Sequence, residues 1–129
     1  LAFRLVNMYS MIGDTVCDPF AGTGTTMLAA MACGRNSRCV EMDEAFSGVI
    51  DAAVEKNRKL LKERQRARLH VHGEFARERE REGKPLTYVN KPHGVPVMTR
   101  QETKLALPML TEVRRMAPGC CEAVCELPE

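Results

Sequence analysis

The residues best suited to chemistry in this 129-residue chain lie between Asp18 and Thr26, in the string D-P-F-A-G-T-G-T-T. Gly22 and Gly24 permit positive φ angles and allow a backbone to approach a ligand closely. The string follows a short β-branched, apolar run and precedes a run rich in Ala, Leu and Met, so we expect a loop that joins a strand to a helix. The N–H groups at the start of such a helix favour a negatively charged ligand group.

An acidic residue, Glu41, follows Gly24 by seventeen positions and is expected at the end of the next strand. In a strand–loop–helix–strand unit, a carboxylate at this place commonly accepts the hydroxyls of a ribose. The loop and the acid together predict a nucleoside ligand. The alternative is a glycine turn with a structural role only.

Hydrophobic periodicity predicts the elements that must position these residues. The expected helices cover residues 1–9, 25–33, 45–69 and 74–82, and Gly34 is expected to end the second one. The expected strands cover 15–18, 38–42, 86–89 and 95–98. The first two strands and the helix between them predict a βαβ unit whose first strand is parallel and buried. A capping box from Thr99 to Glu102 predicts a further helix, which Pro108 should interrupt.

The pattern therefore predicts an α/β fold with two regions. Residues 1–72 form the ligand-binding region, and residues 73–129 form a charged, helical C-terminal extension whose role is open. Its segment 88–102 could add edge strands, contact DNA, or pair two subunits into a homodimer.

Charge is distributed unevenly along the chain. Residues 56–84 contain eleven Lys or Arg and five Glu, a net +6, although the whole chain carries only +2. Such a stretch could face phosphate groups, or it could be a solvated helical face.

The six cysteines and three histidines do not predict a metal site. Cys17, Cys33 and Cys39 lie in apolar patterns, where a thiol acts as a small hydrophobic group. Cys120, Cys121 and Cys125 lack the spacing of zinc ligands and are expected in a frayed tail. The histidines are expected in structural or surface roles: His70, His72 and His93.

No apolar run reaches the roughly 20 residues that a membrane helix needs, so no membrane association is expected. The N-terminal residues show no leader pattern, which predicts a reducing, cytoplasmic compartment without disulfides.

The string from Asp18 to Thr26 resembles motif I of the amino-methylating DNA methyltransferases, which make N4-methylcytosine or N6-methyladenine. Leu1–Val6 resembles the helix that leads from motif X into motif I, and Cys39–Asp43 resembles motif II. The resemblance covers roughly residues 1–55 and is faint after Leu69. It implies a partial Rossmann-like (class I methyltransferase) parallel sheet, S-adenosylmethionine as the cofactor, DNA as a partner, and a restriction–modification setting.

The same resemblance implies cofactor-binding positions in the loop and after the second strand: Asp18, Pro19, Phe20, Ala21, Gly22, Thr23, Gly24, Thr25, Glu41 and Met42. Asp18 would receive the methionine amino group or the amides of the loop itself. The apolar loop residues would pack near the methionine part, and the loop threonines would supply polar contacts. Glu41 would hold the ribose hydroxyls, and Met42 would lie against the adenine or in the core. Thr26 is expected to cap a helix or to donate to a carboxylate, and Asp43 is expected to cap the next helix.

The family transfers its methyl group with a D/N/S-P-P-aromatic loop, and this sequence contains no Pro-Pro pair. No catalytic residue is therefore expected here. The sequence begins at Leu1 within a helical pattern, so we expect a fragment or split subunit, inactive alone, whose partner carries the Pro-Pro loop. The alternatives are a catalytically inactive S-adenosylmethionine-binding module and a part of an RNA methyltransferase.

Overall fold

The computed structural model describes residues 1–128 as a mixed α/β arrangement. Helix α1 (Ala2–Tyr9) precedes strand β1 (Thr15–Asp18), helix α2 (Thr25–Ala32), strand β2 (Asn36–Cys39) and helix α3 (Ala45–Arg81). Strands β3 (Tyr88–Asn90) and β4 (Val95–Val97), a 3₁₀ helix (Arg100–Lys104) and strands β5 (Met109–Ala117) and β6 (Cys120–Glu126) follow. Within the described residues, the strands form three two-stranded sheets, and only β1–β2 is parallel.

The β1–α2–β2 unit confirms the predicted βαβ order, but β2 begins and ends earlier than expected. Thr15 pairs with Asn36, and Asp18 pairs with Cys39. One further ladder bond, 2.9 Å, joins the Val40 amide to the Asp18 carbonyl. The next ladder bond would join the Phe20 amide to the Val40 carbonyl, but the Phe20 amide donates to Asp18 Oδ1 and the Ala21 amide takes that carbonyl. The ladder therefore stops there, and Glu41 lies two residues beyond the strand.

The expectation that β1 is buried is wrong for the described residues. Its four positions alternate between exposed and half-buried, because α2 covers one face and no described element covers the other. Helix α2 ends as predicted, with Gly34 at a φ of +69°. A Cβ atom at Gly34 would lie 2.8 Å from Pro108 Cγ, so packing also requires the glycine.

Helix α3 is a single 37-residue helix, whereas the sequence predicts two helices separated near Gly73. Its core-facing positions keep helical spacing past the glycine: Val54, Leu61, Gln65 and Ala76. Because one interior glycine costs a helix only about 1 kcal/mol, continuous packing on this face preserves it. The helix therefore runs through the expected boundary between residues 72 and 73.

The hydrophobic core lies where α2, α3 and the β5–β6 hairpin meet. Its buried side chains are Met31, Ala32, Val54, Leu61, Leu110 and Val113. Beside it, the Gln65 side chain is 1% exposed and donates to the Ala32 carbonyl at 3.2 Å. Gln65 therefore satisfies a backbone acceptor at the last turn of α2.

The predicted helical extension is wrong beyond Arg81. The capping box at Thr99 and Glu102 is confirmed, but it starts a five-residue 3₁₀ helix. Pro108 precedes β5, and the Pro118-Gly119 turn, with Gly119 at a φ of +68°, reverses the chain into β6. The predicted strands near residues 88 and 95 are confirmed as the short β3–β4 pair.

Cysteines and histidines have structural environments in this region. The predicted frayed tail is wrong, since Cys120, Cys121 and Cys125 lie in β6. His93 Nε2 accepts from the Leu107 amide at 2.8 Å, and burial lowers the pKa of its ring. His72 Nε2 lies 2.6 Å from the Pro96 carbonyl. Among residues 1–128, no group of three His, Cys, Asp or Glu side chains could hold a metal ion.

No helix within residues 1–128 is long and apolar enough to cross a membrane.

Candidate cofactor-binding site

The glycine loop is folded by its own backbone bonds between β1 and α2. The Ala21 amide donates to the Val40 carbonyl at 2.9 Å, and the Gly24 amide donates to the Ala21 carbonyl at 2.9 Å. Gly22 and Gly24 have φ angles of +51° and +78°. Both angles lie in the left-handed region, where a side chain is strained.

The two glycines differ in their surroundings. A Cβ atom at Gly24 would meet Ile50 Cγ2 of α3 at 3.3 Å, whereas a Cβ at Gly22 would meet nothing within 4 Å. Gly24 therefore brings the loop close to α3, and Gly22 leaves open space. Gly24 is also the N-cap of α2, which has no side-chain cap.

Glu41 reaches back from the end of the β2 segment to this loop. Its Oε2 accepts from the Gly22 amide at 2.7 Å, and its Oε1 accepts from the Asp43 amide at 3.1 Å. These amides, Asp43 first and Gly22 second, hold the pKa of the Glu41 carboxyl below its ordinary value. A carboxylate is thus fixed beside the open glycine, and each of its oxygens can accept a further hydrogen bond.

Asp18 lies at the end of β1, on the other side of the loop. Its Oδ1 accepts from the Phe20 amide at 3.0 Å. The Thr26 hydroxyl, followed by the Phe20 amide, holds the pKa of the Asp18 carboxyl below its ordinary value. The expectation that Asp18 receives amides of its own loop is therefore realised at Phe20.

The other predicted loop residues differ in exposure. Phe20 is 86% exposed and Met42 is 92% exposed, so both apolar side chains border solvent around the loop. Ala21 is buried, and Pro19 is exposed. The hydroxyls of Thr23 and Thr25 lie 3.3 Å apart at the start of α2.

The two residues expected to cap helices behave differently. The N-cap of α3 is Glu44, not Asp43 as expected, but Asp43 lies one residue earlier and its Oδ1 accepts from the Ala45 amide at 2.9 Å. The capping role expected for Thr26 is wrong, because the residue lies one position inside α2. Its hydroxyl interacts with Asp18 instead.

Two cavities flank the loop. One, of about 520 Å³, lies between β2 and the start of α3, and it includes Ala21, Glu41 and Asp43. Gly119, in the β5–β6 turn, also lines it, and no local pattern in the sequence predicts that contact. The other, also about 520 Å³, is an apolar groove between α1 and β1 that includes Leu5, Val16 and Thr26.

Residues 1–52 match the protein family described as DNA methylase, the N6/N4 amino-methyltransferases. This segment, which contains the glycine loop and Glu41, belongs to that family.

Two curated relatives are similar to this chain, one over most of its length and one over less than half of it. The chain is 45% identical over 107 residues to the Type II methyltransferase M.MthZI of Methanothermobacter thermautotrophicus, which covers 83% of this chain and 29% of the relative. It is 49% identical over 51 residues to the Type II methyltransferase M.MjaI of Methanocaldococcus jannaschii, which covers 40% of this chain and 17% of the relative. The chain thus spans less than a third of the length of either relative.

The first similarity corrects the extent of the resemblance. A match to 83% of the chain extends well past Leu69, where the sequence motifs become faint. The C-terminal part of the chain is therefore shared with a methyltransferase as well. No solved structure matches the chain significantly.

Proposed function

We propose that this chain binds S-adenosylmethionine as the cofactor-binding part of a DNA methyltransferase that methylates the exocyclic amine of cytosine (N4) or adenine (N6). The observation that carries the proposal is the bond from the Gly22 amide to Glu41. It places a carboxylate suited to ribose hydroxyls beside the one loop glycine whose outer side is open. The family of residues 1–52 supports the choice of ligand.

The residues around the loop fit this cofactor. Glu41 would hold the ribose hydroxyls with its remaining acceptor capacity. The exposed Phe20 and Met42 offer apolar surface, to the methionine part and to the adenine respectively. Asp18 would receive the ammonium group of the methionine part, and the Thr23 and Thr25 hydroxyls would add polar contacts near the uncapped start of α2. Pro19, Ala21, Gly22 and Gly24 would shape the loop.

The chemistry that the cofactor supplies when bound is an electrophilic methyl group on a sulfonium. The residues of this chain would bind and orient it, since the sequence contains no Pro-Pro catalytic loop. We place the cofactor role in residues 1–72. Residues 73–129 would brace it, because the buried Leu110 and Val113 of β5 pack against α2 and α3.

We propose that a segment bearing the Pro-Pro loop completes a Rossmann-like sheet along β1. In the described residues, β1 pairs with β2 only, and a parallel sheet of two strands with an uncovered face is unusual. Leu1 and Tyr9 line the apolar groove beside β1 and are 93% and 78% exposed. Such a segment would cover these side chains as well.

Titration calorimetry with S-adenosylmethionine tests the cofactor proposal. Glu41→Ala and Gly22→Leu should each weaken binding about tenfold or more, because one removes a charged acceptor and the other fills the open side of the loop. Glu63→Ala removes an equally charged but exposed carboxylate of α3 and should bind as the unaltered chain does. Unchanged binding in both loop variants would defeat the proposal.

Complementation tests the enzymatic part. A separately expressed chain that bears the Pro-Pro loop should restore transfer of a labelled methyl group to duplex DNA. Persistent inactivity together with intact cofactor binding would instead indicate a binding module without catalysis, and transfer to RNA alone would exclude the DNA assignment.

A further inference from the structure

The outward face of α3 carries a line of cations that the cofactor site does not use. Lys59, Arg66 and Arg77 are all exposed. Their spacings of seven and eleven residues are close to two and three full helical turns, so the three side chains project in nearly the same direction. The line extends about 27 Å along the helix axis at 1.5 Å per residue.

This line lies away from the core. The buried positions of α3 include Val54 and Leu61, which are also seven residues apart. They lie about 140° around the helix axis from the line of cations. Among residues 1–128, Lys59, Arg66 and Arg77 form no ion pair, whereas Arg58 pairs with Glu55 at 2.6 Å. Within the described part of the chain, no carboxylate neutralises these three cations.

Charge is also segregated over the whole molecule. The net +6 of residues 56–84 against +2 overall leaves −4 on the remainder of the chain. The whole excess lies in residues 56–68, which hold seven cations and one glutamate, whereas residues 74–84 around Arg77 hold four of each. A polyanion would be attracted most strongly to the first half of the helix.

Gly73 lies on the same face, seven residues after Arg66. Glycine is a poor helix former, yet a Cβ atom here would meet only Arg77 Nη1, at 3.7 Å. Packing within the chain therefore does not require a glycine at this position. The glycine leaves the helix backbone between Arg66 and Arg77 covered only by the flexible end of the Arg77 side chain, which a ligand backbone can displace.

We propose that this face, defined by Lys59, Arg66, Gly73 and Arg77, binds the phosphate backbone of duplex DNA independently of sequence. A line of cations along one helix face suits a repeating anion, and contacts of this kind position a protein on DNA without reading its bases. Only the choice of DNA over another polyanion rests on the proposed function; the binding face is defined by the helix itself.

The test is fluorescence anisotropy of a labelled duplex with the 129-residue chain, over a range of salt concentrations and without cofactor. Replacing the three cations together (Lys59→Gln, Arg66→Gln, Arg77→Gln) should weaken binding at least about tenfold and reduce the slope of log K against log salt by about three. A matched triple, Lys91→Gln with Arg100→Gln and Lys104→Gln, removes the same charge from exposed positions elsewhere and should change both quantities much less.

Two single variants sharpen the result. Gly73→Leu should weaken DNA binding severalfold while circular dichroism shows an intact helix. Glu63→Gln removes the exposed carboxylate between Lys59 and Arg66 and should strengthen binding. Equal losses in the two triple variants, no binding at low salt, or stronger competition by an RNA duplex than by DNA would overturn the proposal. Calorimetry on the same triple variant keeps the cofactor proposal separate, since its cofactor affinity should be unchanged.

Discussion

The glycine loop and the turn unit formed by β3, β4 and the 3₁₀ helix both depend on polar side chains, but they use them in opposite ways. Asn90 in the turn unit is 3% exposed; its Nδ2 donates to the Glu102 and Leu105 carbonyls at 2.6 and 2.8 Å, and its Oδ1 accepts from the His93 amide at 2.9 Å. At the glycine loop, the Glu41 carboxylate accepts hydrogen bonds from two backbone amides and remains half-exposed. A closed polar network holds a fold together, whereas an open one is available to a ligand.

The largest expected effect comes from a substitution that breaks the closed hydrogen-bond network around Asn90. Asn90→Ala leaves two carbonyls and one amide of the turn unit without their partner, and should lower the free energy of unfolding by about 3 kcal/mol. Asn36→Ala is the matched control, because Asn36 is exposed and makes one side-chain bond, to the Gly13 carbonyl at 2.8 Å. It should cost about 1 kcal/mol or less. Urea denaturation measures both, and equal losses would remove the distinction between the two regions.

A smaller effect separates the two loop glycines. Gly22→Ala should cost about 1 kcal/mol, from its positive φ alone. Gly24→Ala adds a contact with Ile50, whose Cγ2 atom would lie 3.3 Å from the new Cβ atom, and should cost about 2 kcal/mol. Thermal unfolding of the two variants gives the comparison. A larger loss for Gly22→Ala would show that its outer side is filled.

The smallest effect concerns pH. The pKa of Glu41 and that of Asp18 are both lowered in the folded chain, so both groups stay ionised until the pH falls below their ordinary values of about 4. Their contributions are present above those values and are lost only as the pH falls through the lowered ones. Cofactor affinity should therefore be constant from about pH 7 to pH 5, below the range near 8 in which the amino group of the ligand titrates. A loss centred near pH 6.5, the ordinary histidine pKa, would assign binding to another group.

The sequence predicts what local chemistry decides. The glycine string, Gly34 and the capping box at Thr99 each act through their own backbone or a near neighbour, and the structure has the corresponding loop, helix end and cap. The family resemblance adds the ligand, which geometry alone would leave as a nucleoside. The glycine string of the candidate site is therefore predictable from local sequence, whereas the bond from its Gly22 amide to Glu41 is a tertiary contact.

Nonlocal packing decides what the sequence missed. The ladder beyond β2 ends where the Ala21 amide of the glycine loop takes the Val40 carbonyl, and α3 continues through Gly73 because its core face packs on both sides of that residue. Gly119 reaches the cavity beside Glu41 from 78 positions away along the chain. The C-terminal strands form because Leu110 and Val113 find a surface on α2 and α3. None of these contacts has a local signal.

One measurement tests the central claim most directly: a double-mutant cycle between Glu41 and the ribose of the ligand. Calorimetry would compare S-adenosylhomocysteine with its 2′-deoxy analogue, in the unaltered chain and in Glu41→Ala. If Glu41 holds the ribose, loss of the 2′-hydroxyl should weaken binding to the unaltered chain about tenfold and leave binding to Glu41→Ala unchanged. The same loss in both proteins would show that Glu41 braces the loop without touching the sugar.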